Sequence, residues 1–423
     1  MIAVADTYYE ATAEPGEQHP ALAGRRTADV CIIGGGFTGL GAALALREKG
    51  FVTILLEKSR IASGASGRNG GQIHTGLRRD QVYLERKFGR SDAWKLWEIG
   101  QAAIAKIDDN LARYGIEADR RHGMIYADHR ARIVRDTHHY VEHLKAHYAY
   151  DKAEKLERRG VRALIGSSDY HGGMVDHGGG HLHPLKYARG LARAAVSLGA
   201  ELFENTRVTR IEPGTKARVV TENGEVEADF VIVAGDSLMQ GLVTEADARI
   251  LPIVSTIGVT APLGERLKDY LTTEMAVADS RFVVNYFRPT PDGRLLFGGG
   301  ESYSSTSVPD PGRLVRTALK TVFPGLRDTP FDHAWSGIVG ITPTRLPLVR
   351  RLHPNILLAA GYSGQGVALA PFAGSVLAEA VSGTLERFDV LEKLPVPPFP
   401  GGTALRHPLM MLAMLWYALR DRL

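Results

Sequence analysis

The strongest constraint on the fold is an apolar segment that leads directly into closely spaced glycines. Residues 29–33 read as a buried strand, and Gly34, Gly36 and Gly39 follow it at once. In this spacing the first glycine permits a tight strand-to-helix turn, the second lets the backbone approach a pyrophosphate, and the third lets the helix pack close to the strand. The phosphate would lie at the N-terminus of that helix. The pattern therefore favours a dinucleotide site over an ordinary glycine-containing turn.

A carboxylate at the end of the next predicted strand narrows the choice of nucleotide. Residues 52–56 read as a second parallel strand, and Glu57 follows it. An acidic side chain at this distance from the glycines accepts hydrogen bonds from an adenosine ribose. Because the same carboxylate repels a 2′-phosphate, the sequence favours FAD or NAD over NADP.

Length, charge and cysteine content exclude several classes of protein. The 423 residues are enough for two or three domains. The 51 basic and 47 acidic residues are mixed along the chain, so no nucleic-acid partner is expected. The single cysteine, Cys31, excludes an intramolecular disulfide and suits a reducing compartment. Residues 1–27 lack an apolar run, so we expect no targeting sequence and a cytoplasmic location.

An apolar segment lies near the C-terminus. Residues 408–419 are strongly apolar and follow a Pro/Gly-rich linker at residues 394–402. The segment is shorter than the ~20 residues that a membrane-spanning helix needs. We predict a helix that docks on the protein body or on another subunit, and a helix that lies in a membrane interface is the alternative.

Features typical of one nucleotide site recur at distant points of the chain, which indicates interleaved rather than tandem domains. Small-residue turns follow predicted buried strands at residues 230–235 and 355–361. Helices are predicted at residues 91–114 and 184–198, each ended by a glycine. The predicted division is an N-terminal arm (1–27), a discontinuous nucleotide-binding domain (28–90, 180–249 and 335–390), a substrate domain (91–179 and 250–334), and a linker with the apolar helix (391–423).

Two groups of further strands are predicted. One group forms a meander beside the nucleotide unit, with Asn223-Gly224 as a hairpin turn. Its strands are residues 200–203, 208–211, 217–220 and 225–227. The other group suggests a separate sheet that carries the substrate. Its strands are residues 253–259, 282–287 and 295–297, with turns at residues 292–293 and 298–300.

The loop after the second predicted strand is rich in small and hydrogen-bonding residues. Residues 63–72 offer many backbone N–H donors and the fixed charge of Arg68. Such a loop suits a pyrophosphate or the polar edge of a flavin. Composition alone is also compatible with a plain flexible loop.

With this loop the chain resembles the FAD-dependent oxidoreductases of the D-amino-acid oxidase superfamily, and within it the γ-glutamylputrescine oxidases and L-pipecolate oxidase-like proteins. The resemblance rests on six motifs that span nearly the whole chain in the expected order. They are Thr7-Tyr8-Tyr9, Gly34 to Gly39, Ala65 to Gln72, His183 to Leu191, Trp335-Ser336-Gly337, and Gly361 to Val367. The resemblance implies an α/β fold in which a Rossmann-like FAD-binding domain is interleaved with an α+β substrate domain on an antiparallel or mixed sheet.

The resemblance also implies which residues bind FAD. It places residues 68–72 along the flavin and directs the helix that starts at residues 364–367 at its pyrimidine end, where a helix N-terminus stabilises negative charge. The implied cofactor-binding residues are Gly34, Gly36, Phe37, Thr38, Gly39, Glu57, Lys58, Ala65, Ser66, Arg68, Asn69, Gly70, Gly71, Gln72, Val208, Ala234, Gly235, Gly337, Gly361, Ser363, Gly364, Gln365, Gly366 and Val367. Many members of the superfamily have a histidine where this chain has Gln365. We expect FAD to be held non-covalently, with attachment through His74 as the alternative.

The implied reaction is the oxidation of an amine. Hydride would pass from the carbon next to the amine nitrogen to flavin N5, the imine would hydrolyse to a carbonyl compound, and oxygen would reoxidise the flavin and yield hydrogen peroxide. An apolar pocket favours the free-base amine that this step requires. γ-Glutamylputrescine is the predicted substrate, and an arginine would bind its carboxylate. The candidate catalytic residues are Tyr286, Arg288, Trp335 and Arg345, with Tyr303 as a further aromatic candidate.

Three alternatives stay open. The substrate could be L-pipecolate or another imino or amino acid, and the enzyme could be a dehydrogenase that reduces a carrier. A flavoprotein that binds or modifies another protein is the alternative from a different class.

No metal site is predicted. Two sets of histidines are closely spaced in the chain, but neither has the acidic or cysteine residues of familiar zinc motifs. The sets are His139, His143 and His147, and His171, His177, His181 and His183.

Overall fold

The computed structural model describes residues 7–302 and 308–402, which form two β-sheets and the helices around them. The strands are, in chain order, β1 (Gly24–Ile33), β2 (Thr53–Leu56), β3 (Gln72–Ile73), β4 (Arg121–Asp128), β5 (Ala153–Leu156), β6 (Gly172–His181), β7 (Glu201–Phe203), β8 (Val208–Glu212), β9 (Ala217–Thr221), β10 (Gly224–Val233), β11 (Leu251–Thr260), β12 (Ala276–Asp279), β13 (Tyr286–Pro289), β14 (Leu295–Ser302), β15 (Phe331–Ile341), β16 (Leu348–His353) and β17 (Ile356–Ala360). The helices are α1 (Tyr8–Thr12), α2 (Phe37–Glu48), α3 (Gln81–Phe88), α4 (Arg90–Arg113), α5 (Ala131–Tyr148), α6 (Arg158–Leu164), α7 (Pro184–Ser197), α8 (Thr244–Asp247), α9 (Pro311–Val322), α10 (Gly366–Val381) and α11 (Glu386–Glu392).

The first sheet has the order β16–β17–β10–β1–β2–β7, and its five strands from β17 to β7 run parallel. Strand β1 lies near its centre because residues 30–33 are apolar and buried. Helices α2 and α10 pack against each other and share one core cluster with Ile32 and Leu55. The carboxyl ends of β1, β2, β10 and β17 open at one edge, where open α/β sheets bind ligands.

The second sheet has the order β15–β11–β14–β13–β12–β4–β6–β3, with β5 paired to β6. It is mixed, because β12 and β4 run parallel whereas the other neighbours run antiparallel. Phe287 and Phe297 stack with their ring centroids 5.5 Å apart in the core behind it. The predicted fold class, a Rossmann-like unit interleaved with a second, mixed sheet, is confirmed.

The meander and both long helices form close to where they are predicted. Strands β9 and β10 pair antiparallel across the Asn223-Gly224 turn. The predicted strands at residues 225–227 and 230–233 are one strand, since β10 leaves β9 and continues alongside β1. Helix α4 ends before Gly115, and α7 ends before Gly199.

Two predictions for the second sheet are wrong. Residues 298–300, predicted as a turn, continue strand β14 as far as residue 302. The glycine run serves packing instead: a Cβ atom at Gly298 would lie 2.0 Å from the Tyr286 ring, so only glycine leaves room for that side chain. The predicted strand at residues 282–287 forms only from Tyr286 onward.

Two predicted domain boundaries fall inside strands of the second sheet. The boundary at 179/180 divides β6, and the boundary at 334/335 divides β15. The residues between β2 and β3 form loops at the end of the first sheet, whereas β3 itself pairs with β6 of the second sheet.

Some predictions lie outside the described residues, namely the apolar helix at residues 408–419 and the aromatic side chain of Tyr303. Within residues 7–302 and 308–402, no single helix is long and apolar enough to cross a membrane. Helices α10 and α11 meet the length and composition criteria only as a pair bent by 120°. Most of α10 is buried in the protein core.

Candidate active site

A cavity of about 1080 Å³ lies between the two sheets. The carboxyl ends of β1, β2 and β10 form one part of its wall, and β11, β13 and β15 form another. After the predicted ligands we call these parts the nucleotide end and the amine end, and the amine end includes the lining residues His74, Arg78, Phe282, Val284 and Arg345 from nearby loops. Its volume is at the upper limit of ordinary ligand pockets.

The N-terminus of α2 forms the centre of the nucleotide end. Gly34, Gly36, Phe37 and Thr38 line the cavity there. The Phe37 N–H donates to Ser66 Oγ (2.9 Å), so the residues 63–72 loop satisfies one of the free amides of the helix. Gly39 lies behind this turn and does not line the cavity, and a Cβ atom there would lie 1.9 Å from the Gly34 carbonyl oxygen.

Glu57 lies beside this turn at the end of β2. Its carboxylate accepts hydrogen bonds from the backbone N–H of Gly35 (2.7 Å) and of Ser59 (2.9 Å). Burial raises the pKa of Glu57, and the two amides act against that rise. The carboxylate lines the cavity, as the ribose-binding prediction requires.

Most of the other predicted cofactor residues also line the cavity. Those that do are Lys58, Ala65, Ser66, Arg68, Asn69, Gly70, Gln72, Val208, Ala234, Gly235, Gly337, Ser363, Gly364, Gly366 and Val367. Those that do not, besides Gly39, are Gly71, Gly361 and Gln365. Gly361 instead donates its N–H to Asp236 Oδ1 (2.9 Å).

Helix α10 begins at the cavity wall. Gly364, Gly366 and Val367 line the cavity, whereas Gln365 is the N-cap residue and is buried. A Cβ atom at Gly364 would meet no protein atom within 4 Å, so its open side leaves room for a ligand. The partial positive charge of a helix N-terminus therefore lies beside the cavity, without a histidine at that position.

Side chains rather than glycines form most of the amine end. Tyr286 and Arg345, both predicted, line the cavity. Apolar and aromatic residues surround them, and the guanidinium of Arg345 lies 5.6 Å from the centroid of the Phe282 ring. The lining residues here that sequence reasoning missed are Arg78, Ile253, Ser255, Ile257, Phe282, Val284 and Ile338.

His74 lines the same region as a neutral imidazole. Its Nδ1 lies 3.0 Å from the Tyr126 hydroxyl, so the far side of the ring is held by β4. Burial, and then the nearby Arg78 guanidinium, lower the pKa of His74 to about 3. With this ring neutral, the fixed cations among the described lining residues of the amine end are Arg78 and Arg345.

Arg288 and Trp335 need correction as candidate catalytic residues, because neither lines the cavity. Trp335 Nε1 donates to the carbonyl oxygen of Arg68 (2.9 Å), and Arg288 Nε donates to that of Gly70 (3.0 Å). Both side chains are 3 % exposed. Arg288 follows Tyr286 on the same face of β13, but the loop at residues 68–70 covers it.

The loop after β10 is the largest part of the lining that had no sequence pattern. Residues 236–242 follow the predicted Ala234-Gly235 turn and carry no recognisable motif. Lys58 Nζ donates to the Leu238 carbonyl (2.8 Å), which ties this loop to the end of β2. Proximity to Ala234-Gly235 in the chain is the one signal that could have indicated it.

The histidine sets are used for packing and capping. His143 pairs with Glu85 (3.0 Å), and His183 caps α7 by accepting the Lys186 N–H (3.2 Å). Within the described residues, no three His, Cys, Asp or Glu side chains are grouped so that they could hold a metal ion.

The family model for FAD-dependent oxidoreductases, named DAO, matches residues 29–380, which include both ends of the cavity. The chain belongs to this family. It is therefore an FAD-dependent oxidoreductase. The match confirms the predicted family and the predicted cofactor.

Full-length relatives agree with this assignment. The chain is 39% identical to "Probable oxidoreductase OrdL" from Rhizobium meliloti (strain 1021), covering 98% of this chain and 97% of the relative. It is 37% identical to the gamma-glutamylputrescine oxidoreductase of Escherichia coli (strain K12), covering 99% and 98%. The crystal structure of glycine oxidase from Geobacillus kaustophilus has the same fold, with a TM-score of 0.74 at 19% identity, over 88% of this chain and all of that one.

The residues present fit FAD. The N-termini of α2 and α10 both lie at the cavity, Glu57 offers a ribose acceptor, and the open side of Gly364 leaves space next to a helix N-terminus. The residues that would hold FAD are thus those of the nucleotide end, and Arg68 to Gly70 with Gly364, Gly366 and Val367 line the same cavity. FAD would supply the hydride acceptor for substrate oxidation.

Proposed function

We propose that the protein is an oxidase for amines that carry a carboxylate, with γ-glutamylputrescine as the leading substrate and non-covalent FAD as cofactor. The distribution of charge in the cavity carries the proposal. The amine end contributes Arg78 and Arg345 but, among the described lining residues, no carboxylate. The acidic lining residues Glu57, Glu222 and Asp236 all belong to loops of the first sheet, and Asp236 Oδ1 accepts the Gly361 N–H where its loop packs against Gly340 of β15.

This distribution favours an amine bound as the free base. Because the described lining residues of the amine end include no carboxylate, they offer an ammonium group no counter-ion, and the guanidinium groups of Arg78 and Arg345 oppose its charge. The apolar walls from Ile257, Phe282 and Val284 add a desolvation penalty for the charged form. Only the free base has the lone pair that assists loss of hydride from the neighbouring carbon.

The arginines supply the complementary interaction. A guanidinium binds a carboxylate through two parallel hydrogen bonds, which fixes the orientation as well as the position of the substrate. Arg345 is the residue to which we assign this role, because it lines the cavity beside Phe282. The name of the Escherichia coli relative supports a γ-glutamyl group as the source of that carboxylate.

The test is anaerobic reduction of the bound flavin by a panel of amines, followed as loss of its visible absorbance. The panel contains γ-glutamylputrescine, putrescine, L-pipecolate, sarcosine and D-amino acids. We expect the fastest bleaching with γ-glutamylputrescine and one hydrogen peroxide per turnover in air. If L-pipecolate bleaches the flavin fastest, γ-glutamylputrescine is not the preferred substrate. If turnover in air yields no peroxide, the enzyme is not an oxidase. If dithionite reduces the bound flavin but no amine of the panel does, the proposed amine oxidation is wrong.

Non-covalent binding has a separate test. The flavin should remain in the supernatant after acid precipitation, because Cys31 is buried in β1 away from the cavity and His74 is hydrogen-bonded to Tyr126. Flavin that stays in the pellet of the native protein, but not of a His74→Ala variant, would show attachment through His74.

A further inference from the structure

Three consecutive backbone carbonyls of the cavity wall are each held by a side chain from a different part of the chain. Arg68, Asn69 and Gly70 line the cavity. Their carbonyl oxygens accept hydrogen bonds from Trp335 Nε1 (2.9 Å), Tyr9 Oη (2.7 Å) and Arg288 Nε (3.0 Å), respectively. We call Tyr9, Arg288 and Trp335 the carbonyl clamp.

The clamp is a single buried cluster on the side of the loop away from the cavity. Tyr9 is fully buried, and none of the three clamp residues lines the cavity. The Tyr9 and Trp335 rings meet edge to face with centroids 5.3 Å apart. Arg288 Nη2 also donates to Tyr9 Oη (3.3 Å), so the members contact one another as well as the loop.

The orientation of the carbonyls determines the orientation of the neighbouring amides. In a planar trans peptide the C=O and the following N–H point in opposite directions, and the described chain contains no cis peptide. The carbonyls of Arg68 and Asn69 point away from the cavity toward the clamp. The N–H groups of Asn69 and Gly70, which share those two peptide units, therefore point toward the cavity.

Charge strengthens this arrangement. The Arg288 guanidinium donates to the Tyr9 hydroxyl, which in turn donates to the Asn69 carbonyl. Hydrogen bonds in such a buried chain polarise one another, so the Gly70 N–H becomes a stronger donor. Donors aimed at the electron-rich edge of a cofactor stabilise its reduced form more than its oxidised form.

We propose that the N-terminal helix α1, through Tyr9, positions the Asn69 and Gly70 amides against FAD and thereby raises both the affinity for FAD and its reduction potential. Tyr9 is a positioning residue, because it acts through the loop and not on the substrate. This role depends on FAD binding, which family membership establishes, and is independent of the substrate proposed above.

The test compares two neighbouring tyrosines of one helix. Tyr9→Phe removes the hydroxyl that holds Asn69 and keeps the ring that packs on Trp335. Tyr8→Phe is the matched control, because Tyr8 is also buried and its hydroxyl donates to Asp292 (2.7 Å) rather than to the loop. The readouts are the dissociation constant for FAD, the midpoint potential of the bound flavin, and the melting temperature of the apoprotein.

We expect Tyr9→Phe to weaken binding of reduced FAD about tenfold more than binding of oxidised FAD. For a two-electron couple this lowers the midpoint potential by about 30 mV. Tyr8→Phe should leave the potential unchanged. An unchanged potential in Tyr9→Phe, or an equal decrease in both variants, would overturn the proposal.

A second variant keeps the test decisive if Tyr9→Phe yields no holoenzyme. Trp335→Phe removes the donor to the Arg68 carbonyl and leaves Tyr9 in place. A lowered midpoint potential with an apoprotein melting temperature close to that of the native protein would support the clamp. A native potential in Trp335→Phe would overturn it.

Discussion

The nucleotide end and the amine end of the cavity are built in different ways. At the nucleotide end, backbone groups at the ends of parallel strands and two helix N-termini form the wall, and the one central side chain is Glu57. At the amine end, strand β13 and the loops beside the mixed sheet present large side chains, such as Tyr286 on β13 and Phe282 and Arg345 in the loops. The nucleotide end therefore depends on how closely the backbone can approach a ligand, and the amine end depends on which side chains face the cavity.

This difference has consequences for substitution. A glycine in a close turn leaves no room for a side chain, so a substitution of such a glycine at the nucleotide end should abolish FAD binding rather than weaken it slightly. Side chains at the amine end contact the substrate individually, so changes there should act on one substrate and spare another. The following predictions test this contrast.

The largest effect is expected from Gly39→Ala. The added Cβ atom would lie 1.9 Å from the Gly34 carbonyl oxygen, so the turn that bears the pyrophosphate must move. We expect protein purified without flavin and at least a 100-fold weaker affinity for FAD, measured by titration of the apoprotein. Gly312→Ala on α9 is the control, because its Cβ would meet only ordinary contacts of 3.4 Å or more. Normal flavin content in Gly39→Ala would contradict the all-or-none behaviour.

The next largest effect is expected at the amine end. Arg345→Met should raise KM for γ-glutamylputrescine about 10- to 100-fold, the loss expected for a charge-assisted hydrogen bond, with little change in kcat. Turnover of putrescine, which has no carboxylate, should change less than twofold. Arg345→Lys retains the charge and should lie between the native enzyme and the methionine variant. An equal loss with both amines would show that Arg345 serves the fold rather than the carboxylate.

The same contrast explains what could be predicted from the sequence. The nucleotide end is encoded by local patterns, namely Gly34 to Gly39, Glu57 and residues 364–367, and all of these residues except Gly35, Gly39 and Gln365 line the cavity. The two-sheet fold also follows from strand and turn patterns. The loop at residues 236–242 has no such pattern and was missed.

The amine end depends on how distant strands pair. Tyr286 and Arg288 lie on one face of β13, and the sequence cannot tell that the residues 68–70 loop covers only the second of them. Gly298 to Gly300 were predicted as a turn because glycine marks turns, whereas the space at Gly298 is filled by Tyr286, which lies opposite it in the neighbouring strand. Arg78 and His74 follow the cofactor loop in sequence but reach the amine end through the pairing of β3 with β6.

A smaller effect is expected from Glu57→Gln. The glutamine side chain cannot accept with both of its terminal atoms, so one of the Gly35 and Ser59 amides loses its acceptor. We expect a dissociation constant for FAD that is about tenfold higher, which corresponds to about 1.4 kcal/mol. Glu222→Gln, an exposed acid at the rim of the cavity, should change it less than twofold. Equal effects of the two substitutions would show that Glu57 has no specific role in FAD binding.

The smallest effect on substrate binding is expected at a histidine that lines neither end of the cavity, His183, where the expected effect is on stability. His183 Nδ1 accepts the Lys186 N–H, and its Nε2 lies 3.1 Å from Thr12 Oγ1. Burial, then Arg288 and Lys186, lower the pKa of His183 to about 3. In the unfolded chain its pKa is about 6.5. Below that pH the unfolded state binds a proton that the folded state does not, so stability is complete above pH 6.5 and is lost as the pH falls toward 3.

The corresponding measurement is the melting temperature of the holoenzyme at pH 7.5 and at pH 5. We expect it to fall at the lower pH, with about 2 kcal/mol of unfolding free energy lost through His183 alone. His183→Asn keeps a side-chain acceptor for the first turn of α7 but does not titrate, so its decrease should be smaller by a few degrees. An identical decrease in both proteins would mean that His183 is protonated in the folded state. Because His183 lines neither end of the cavity, its substitution should leave KM for the amine unchanged, which separates packing from substrate binding.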